Sequence, residues 1–75
     1  MTKNEIKTAI ENAAATIGEG ESAYVESVSE AMGLDPEYAG VIVTKNDGEV
    51  KVYVDNGQCY PTYYGVEEFS SVYGE

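Results

Sequence analysis

The chain has 75 residues with 14 acids against four lysines, a formal net charge of −10, no histidine and one cysteine. That size makes a single domain, residues 1–75, and at this size a hydrophobic core rarely supplies more than about 3–5 kcal/mol of net stability. With 43% hydrophobic residues and two prolines the chain reads as globular and not disordered, and no apolar run is long enough for a membrane span or a signal core, so a soluble, unprocessed protein is expected.

Residues 2–17 open with Thr2-Lys3-Asn4-Glu5, a T-x-x-E capping box. Ile6, Ile10, Ala13, Ala14 and Ile17 then form one apolar stripe, and Gly18 supplies a left-handed stop. A second helix is expected over 21–32, where Tyr24, Val25, Val28 and Met32 share a face and Gly33-Leu34 suits a Schellman ending. Asp35-Pro36-Glu37 then reads as a cap and a single turn.

From Ala39 the period changes to two. Val41-Ile42-Val43-Thr44 is β-branched, and Val50, Val52 and Val54 alternate with Lys51, Tyr53 and Asp55. Asn46-Asp47-Gly48 suits a type I turn with a glycine bulge, and Asn56-Gly57 a tight hairpin into a third strand, Cys59 to Tyr64. Pro61 has no amide proton to donate, which places that strand at an edge with Pro61 facing away from its partner. Val66, Phe69, Val72 and Tyr73 suit a short terminal helix with Glu67 and Glu68 in its first turn, a fourth strand being the alternative. The sum is an α+β domain, α-α-β-β-β-α: two N-terminal helices, a three-stranded antiparallel β-meander and a short C-terminal helix on one face of the sheet.

Catalysis finds few tools in this composition. Without histidine there is no Ser-His-Asp or Cys-His pair and no imidazole base. Cys59 has no activator beside it and is expected to be a partly buried structural thiol. No zinc, haem or iron–sulfur spacing, no D-x-[DN]-x-[DN]-G calcium loop and no phosphate-binding glycine motif occurs. The reading is a non-enzyme with no catalytic residues, no metal and no cofactor. Ser27 to Pro36 looks a little like the opening of a helix-turn-helix, but a strand stands where the recognition helix belongs. Four scattered lysines and no arginine give nothing with which to bind DNA or RNA directly. One cysteine favours a reducing compartment, so a cytoplasmic location is expected.

The charge is unevenly placed. Residues 1–17 balance, with Lys3 and Lys7 against Glu5 and Glu11, and residues 39–65 sum to −1. Residues 18–38 carry Glu19, Glu21, Glu26, Glu30, Asp35 and Glu37 with no base, and 66–75 add −3. Acids serve solubility, and a salt-adapted proteome is also acidic. Either would spread them, whereas segregation favours a patch aimed at something basic. Seven tyrosines exceed what so small a core can bury with every hydroxyl satisfied, and Tyr60, Tyr63 and Tyr64 on the third strand are candidate binding anchors.

The expected function is therefore an acidic protein–protein interaction module, an inhibitor that occupies the basic surface of a nucleic-acid-handling partner as a DNA mimic. In composition it resembles phage-encoded anti-restriction and anti-CRISPR proteins. The expected contacts are Glu19, Glu21, Glu26, Glu30, Asp35, Glu37, Glu67 and Glu68 with Tyr60, Tyr63 and Tyr64. The alternative is an assembly module, such as a homodimer, that self-associates through the tyrosine-bearing edge strand.

Overall fold

The computed structural model describes all 75 residues as an α+β fold: helix α1 (Lys3–Ala14), strand β1 (Ser22–Tyr24), helix α2 (Glu26–Ala31), strands β2 (Gly40–Asn46), β3 (Glu49–Asp55) and β4 (Tyr64–Gly65), and helix α3 (Val66–Tyr73). The sheet is antiparallel with strand order β1-β2-β3-β4. The meander is β2-β3-β4, and β1 adds a fourth strand on its far edge.

The α1 start is as the sequence predicts. Thr2 Oγ1 accepts from the Glu5 amide at 3.2 Å, and Glu5 Oε1 accepts from the Thr2 amide at 2.9 Å. The helix ends earlier than predicted, at Ala14. There the Thr16 and Ile17 amides bond back only three residues, to Ala13 and Ala14, and the Thr16 hydroxyl donates to the Ala13 carbonyl at 2.7 Å. This tightening uses up the last carbonyls. The left-handed residue is Gly20, φ +79°, and not Gly18.

The second predicted helix begins as strand. Ser22–Tyr24 pairs with β2 (Ser22↔Thr44, Ala23↔Val43, Tyr24↔Ile42), and only Glu26–Ala31 coils. Ser-Ala-Tyr-Val fits either period, and the choice is made by the open edge of β2, whose amides and carbonyls 22–24 satisfy. The end of α2 is a Schellman motif: with Gly33 at φ +74°, the Gly33 amide donates to Glu30 and the Leu34 amide to Ser29. Asp35 then makes the predicted single turn, its carboxylate accepting from the Glu37 amide at 3.0 Å.

The β2–β3 link is a two-residue turn with Asn46 paired to Glu49, and Asp47 (φ 54°) and Gly48 (φ 77°) are both left-handed. This is the type I′ pattern in place of a type I turn with a bulge, because I′ twist matches that of the flanking strands. The β3–β4 link is an eight-residue loop, Asn56–Tyr63, and not a tight Asn-Gly hairpin; β4 keeps two residues. Pro61 cannot donate, and the loop folds back so that the Tyr63 ring packs on Tyr53 at 4.9 Å. Residues 66–73 are helix, with Phe69 and Ser70 fully buried and Val72 56% exposed. The buried face is rotated from the predicted one because α3 packs along α1. Gly74 lies so close to Lys3 that a Cβ there would sit 2.6 Å from the Lys3 Cα.

The core is one cluster: Ile6, Ile10 and Ala14 of α1, Val28 of α2, Val25, the inward residues Val41, Val43 and Val52, and Phe69. All three helices cover this face of the sheet. The opposite face, carrying Ile42, Thr44, Lys51 and Tyr53, has no helix over it.

Candidate acidic interface

The structure separates the predicted acids into those with work inside the fold and those without. Glu19 stands at the β2–β3 turn, where its carboxylate accepts from the Asp47 amide and, at 3.1 Å, from the Gly48 amide. Two successive left-handed residues point their amides to one side, forming a small anion-binding concavity that Glu19 fills. Glu21 Oε1 accepts from the Gly18 amide, and Asp35 holds its own turn. These carboxylates are fixed in place by the backbone.

Glu67 is tied most firmly. Lys3 Nζ and Lys7 Nζ each lie 3.0 Å from one of its oxygens, clamping α3 to α1. The hydrogen bonds from Lys7 and then Lys3 hold its carboxyl below the ordinary value of 4.5, and the hydrogen bond to Glu67 raises Lys7 above 10.5. A carboxyl with a lowered folded pKa stabilises fully above its unfolded value and ceases to do so as pH falls through the folded one; a raised lysine behaves oppositely and loses its share above 10.5. Glu67→Gln is therefore expected to lower the melting temperature modestly at neutral pH. Well below 4.5 it should have no effect, a difference that melts of both proteins across the acid range would reveal.

Glu26, Glu30, Glu37 and Glu68 remain exposed and unpaired. Glu26 and Glu30 are one helical turn apart on α2, about 5–6 Å between Cβ atoms, with no lysine to relieve them. Ser22–Tyr24 form the β1 edge of the sheet, and α2 packs over its helical face against β2 and α1. Glu19 marks the turn end, and Asp35 and Glu37 the end where Gly40 pairs with Asp55. The seven residues of β2 separate these ends by about 20 Å. The acids are thus spread over the β1 edge, α2 and its exit rather than gathered in a compact patch, and Glu67 and Glu68 stand apart on α3.

The predicted tyrosines are not gathered in one place. Tyr60 is 92% exposed in the β3–β4 loop, and Tyr63 is exposed while leaning on Tyr53. Tyr64 is half-buried against the core, edge-on to Phe69 at 5.8 Å and to Tyr73 at 6.2 Å. Tyr60 and Tyr63, expected on the third strand, lie in the loop before it, since β4 begins only at Tyr64. Cys59 is exposed in that same loop, contrary to the expected partial burial, since no strand forms there to carry it inward.

The sequence reading missed a second group. Register aligns Tyr24, Ile42 and Tyr53 across β1, β2 and β3 on the open face, and Tyr63 continues the row. Burial, then Tyr63 and Asp55, raise the Tyr53 hydroxyl above 10.0. The signal was Ile42: a β-branched apolar residue between Val41 and Val43 implies that the outward side of β2 also has something to touch. No group of three His, Cys, Asp or Glu side chains stands close enough to hold a metal ion, and no helix is long and apolar enough to cross a membrane. Comparisons with protein-family models, with curated proteins and with solved structures find no match to the chain.

Proposed function

We propose that the chain is a non-enzymatic inhibitor whose anionic edge occupies the basic nucleic-acid-binding surface of a partner protein, in the manner of anti-restriction and anti-CRISPR proteins. The observation that carries this is the unneutralised charge. Glu67 alone among the 14 acids forms an ion pair, so Glu26, Glu30 and Glu37 face water free, and Glu19, Glu21 and Asp35, though held by backbone amides, have no counter-charge beside them. Carboxylates fixed at intervals can compete with phosphates for lysine and arginine, and the net charge of −10 steers encounter with a positive groove. A reducing cytoplasm suits the free Cys59 thiol.

Self-association through the tyrosine-bearing strand is the competing reading, and β4 offers it only two residues, with Tyr64 turned toward the core. Capture of partners on the immobilised chain separates the two. A mimic should retain nucleic-acid-binding proteins that added duplex DNA displaces, with capture falling steeply between about 50 and 200 mM salt. Glu26→Lys/Glu30→Lys should weaken that capture by about tenfold or more while leaving the fold intact. Capture indifferent to salt, to DNA and to this double reversal would overturn the proposal.

A further inference from the structure

At the corner of the open face, where β1 ends, the chain forms a recess of about 240 Å³. Its floor is Gly40. The Tyr24 ring lies across that glycine so closely that a Cβ at position 40 would sit 2.3 Å from the ring's Cε2. Gly40 is thus required for space, not for backbone conformation. Tyr38, 75% exposed, Pro36 and the carboxylate-bearing residues Glu37 and Asp55 complete the lining.

Neither Glu37 nor Asp55 has an ion-pair partner; Asp55 Oδ1 accepts only from the Gly57 amide at 3.3 Å. The cation on this face, Lys51, is four residues along β3 from Asp55, about 13 Å away. Two aromatic residues beside two unpaired carboxylates call for a flat cation that can lie on a ring and fork to oxygens, and those are the properties of guanidinium and not of the compact ammonium of lysine.

We infer that this recess receives an arginine side chain of the partner, stacked on Tyr24 and Tyr38 and paired with Glu37 and Asp55. The inference rests on the proposed function and names where the partner is anchored. A second copy of this chain cannot be the occupant, because the sequence contains no arginine: Lys3, Lys7, Lys45 and Lys51 are its four bases.

The test is an NMR titration of the intact chain, at low salt, with acetyl-Gly-Arg-Gly-amide and with the same peptide carrying lysine or neutral citrulline in place of arginine. Amide shifts should concentrate at residues 24, 37–40 and 55, with affinity in the order arginine, lysine, citrulline. Tyr38→Ala, at a position too exposed to disturb folding, should weaken arginine binding about two- to fivefold. Tyr38→Phe should retain it, and Gly40→Ala, which displaces the Tyr24 ring, should weaken it independently. Shifts spread over all the acids, equal response to arginine and citrulline, or indifference to Tyr38→Ala would overturn the inference. The two proposals fail separately. If the peptide marks the recess but no DNA-displaceable partner is captured, the mimicry fails and the arginine site stands; if such a partner is captured equally by Tyr38→Ala, the site fails and the mimicry stands.

Discussion

Phe69→Ala is expected to leave the protein without a cooperative folded state at 25 °C. Phe69 is fully buried where α3 meets the sheet, with the Tyr73 ring at 4.6 Å and the Tyr64 ring edge-on at 5.8 Å. Truncating a buried phenylalanine costs about 3–5 kcal/mol. A core of this size supplies about the same in total, so nothing remains to hold the chain. Removal of the ring also takes the support from Tyr64 and Tyr73, the residues that join β4 and α3 to the rest. Circular dichroism should show no sigmoidal melt for Phe69→Ala, while Phe69→Leu keeps a transition at lower temperature. A melt of Phe69→Ala close to that of the parent would mean that the arrangement of the core is wrong.

Ser29→Ala is expected to be the costliest polar substitution. Ser29 is fully buried, and its hydroxyl donates to the Val25 carbonyl at 2.7 Å and accepts from the Val41 amide at 2.9 Å. One hydroxyl thereby ties α2 to the start of β2. Alanine leaves the Val41 amide buried without an acceptor, at a cost of about 1–3 kcal/mol. In a domain of this length each kilocalorie per mole moves the melting temperature by about 4–8 °C, so a drop on the order of 10 °C is expected. Hydrogen exchange at Val41 separates the mechanism from general weakening: its amide should lose protection beyond what the change in global stability accounts for. If Val41 stays as protected as its neighbours in β2, the hydroxyl does not hold that amide.

Both effects bear on function through position. Ser29 fixes α2, which carries Glu26 and Glu30, against the strand whose first residue, Gly40, floors the arginine recess. The acidic edge is displayed by a thin fold, and its self-repulsion opposes the compaction that displays it.

Elements specified within a few residues were legible in the sequence. The Thr2–Glu5 box, the Gly33–Leu34 ending, the Asp35 turn, the alternation of β3 and the start of α3 each depend on groups no more than about five positions apart, so the local chain contains the whole interaction. The α+β class follows from their order. What the local chain left open was the use of 22–24 and the fate of individual acids, because those depend on which backbone amides remain without partners once the sheet exists. β2 had a free edge, so Ser22–Tyr24 became a strand and brought the Tyr24 ring over Gly40. The left-handed Asp47–Gly48 turn had two free amides, so Glu19, 28 residues before Asp47, was captured by them. Glu67 met Lys3 and Lys7 only because α3 lies along α1. Sequence determined how much negative charge this protein carries and roughly where along the chain it lies; tertiary pairing decided which carboxylates the fold uses for itself and which it leaves facing water.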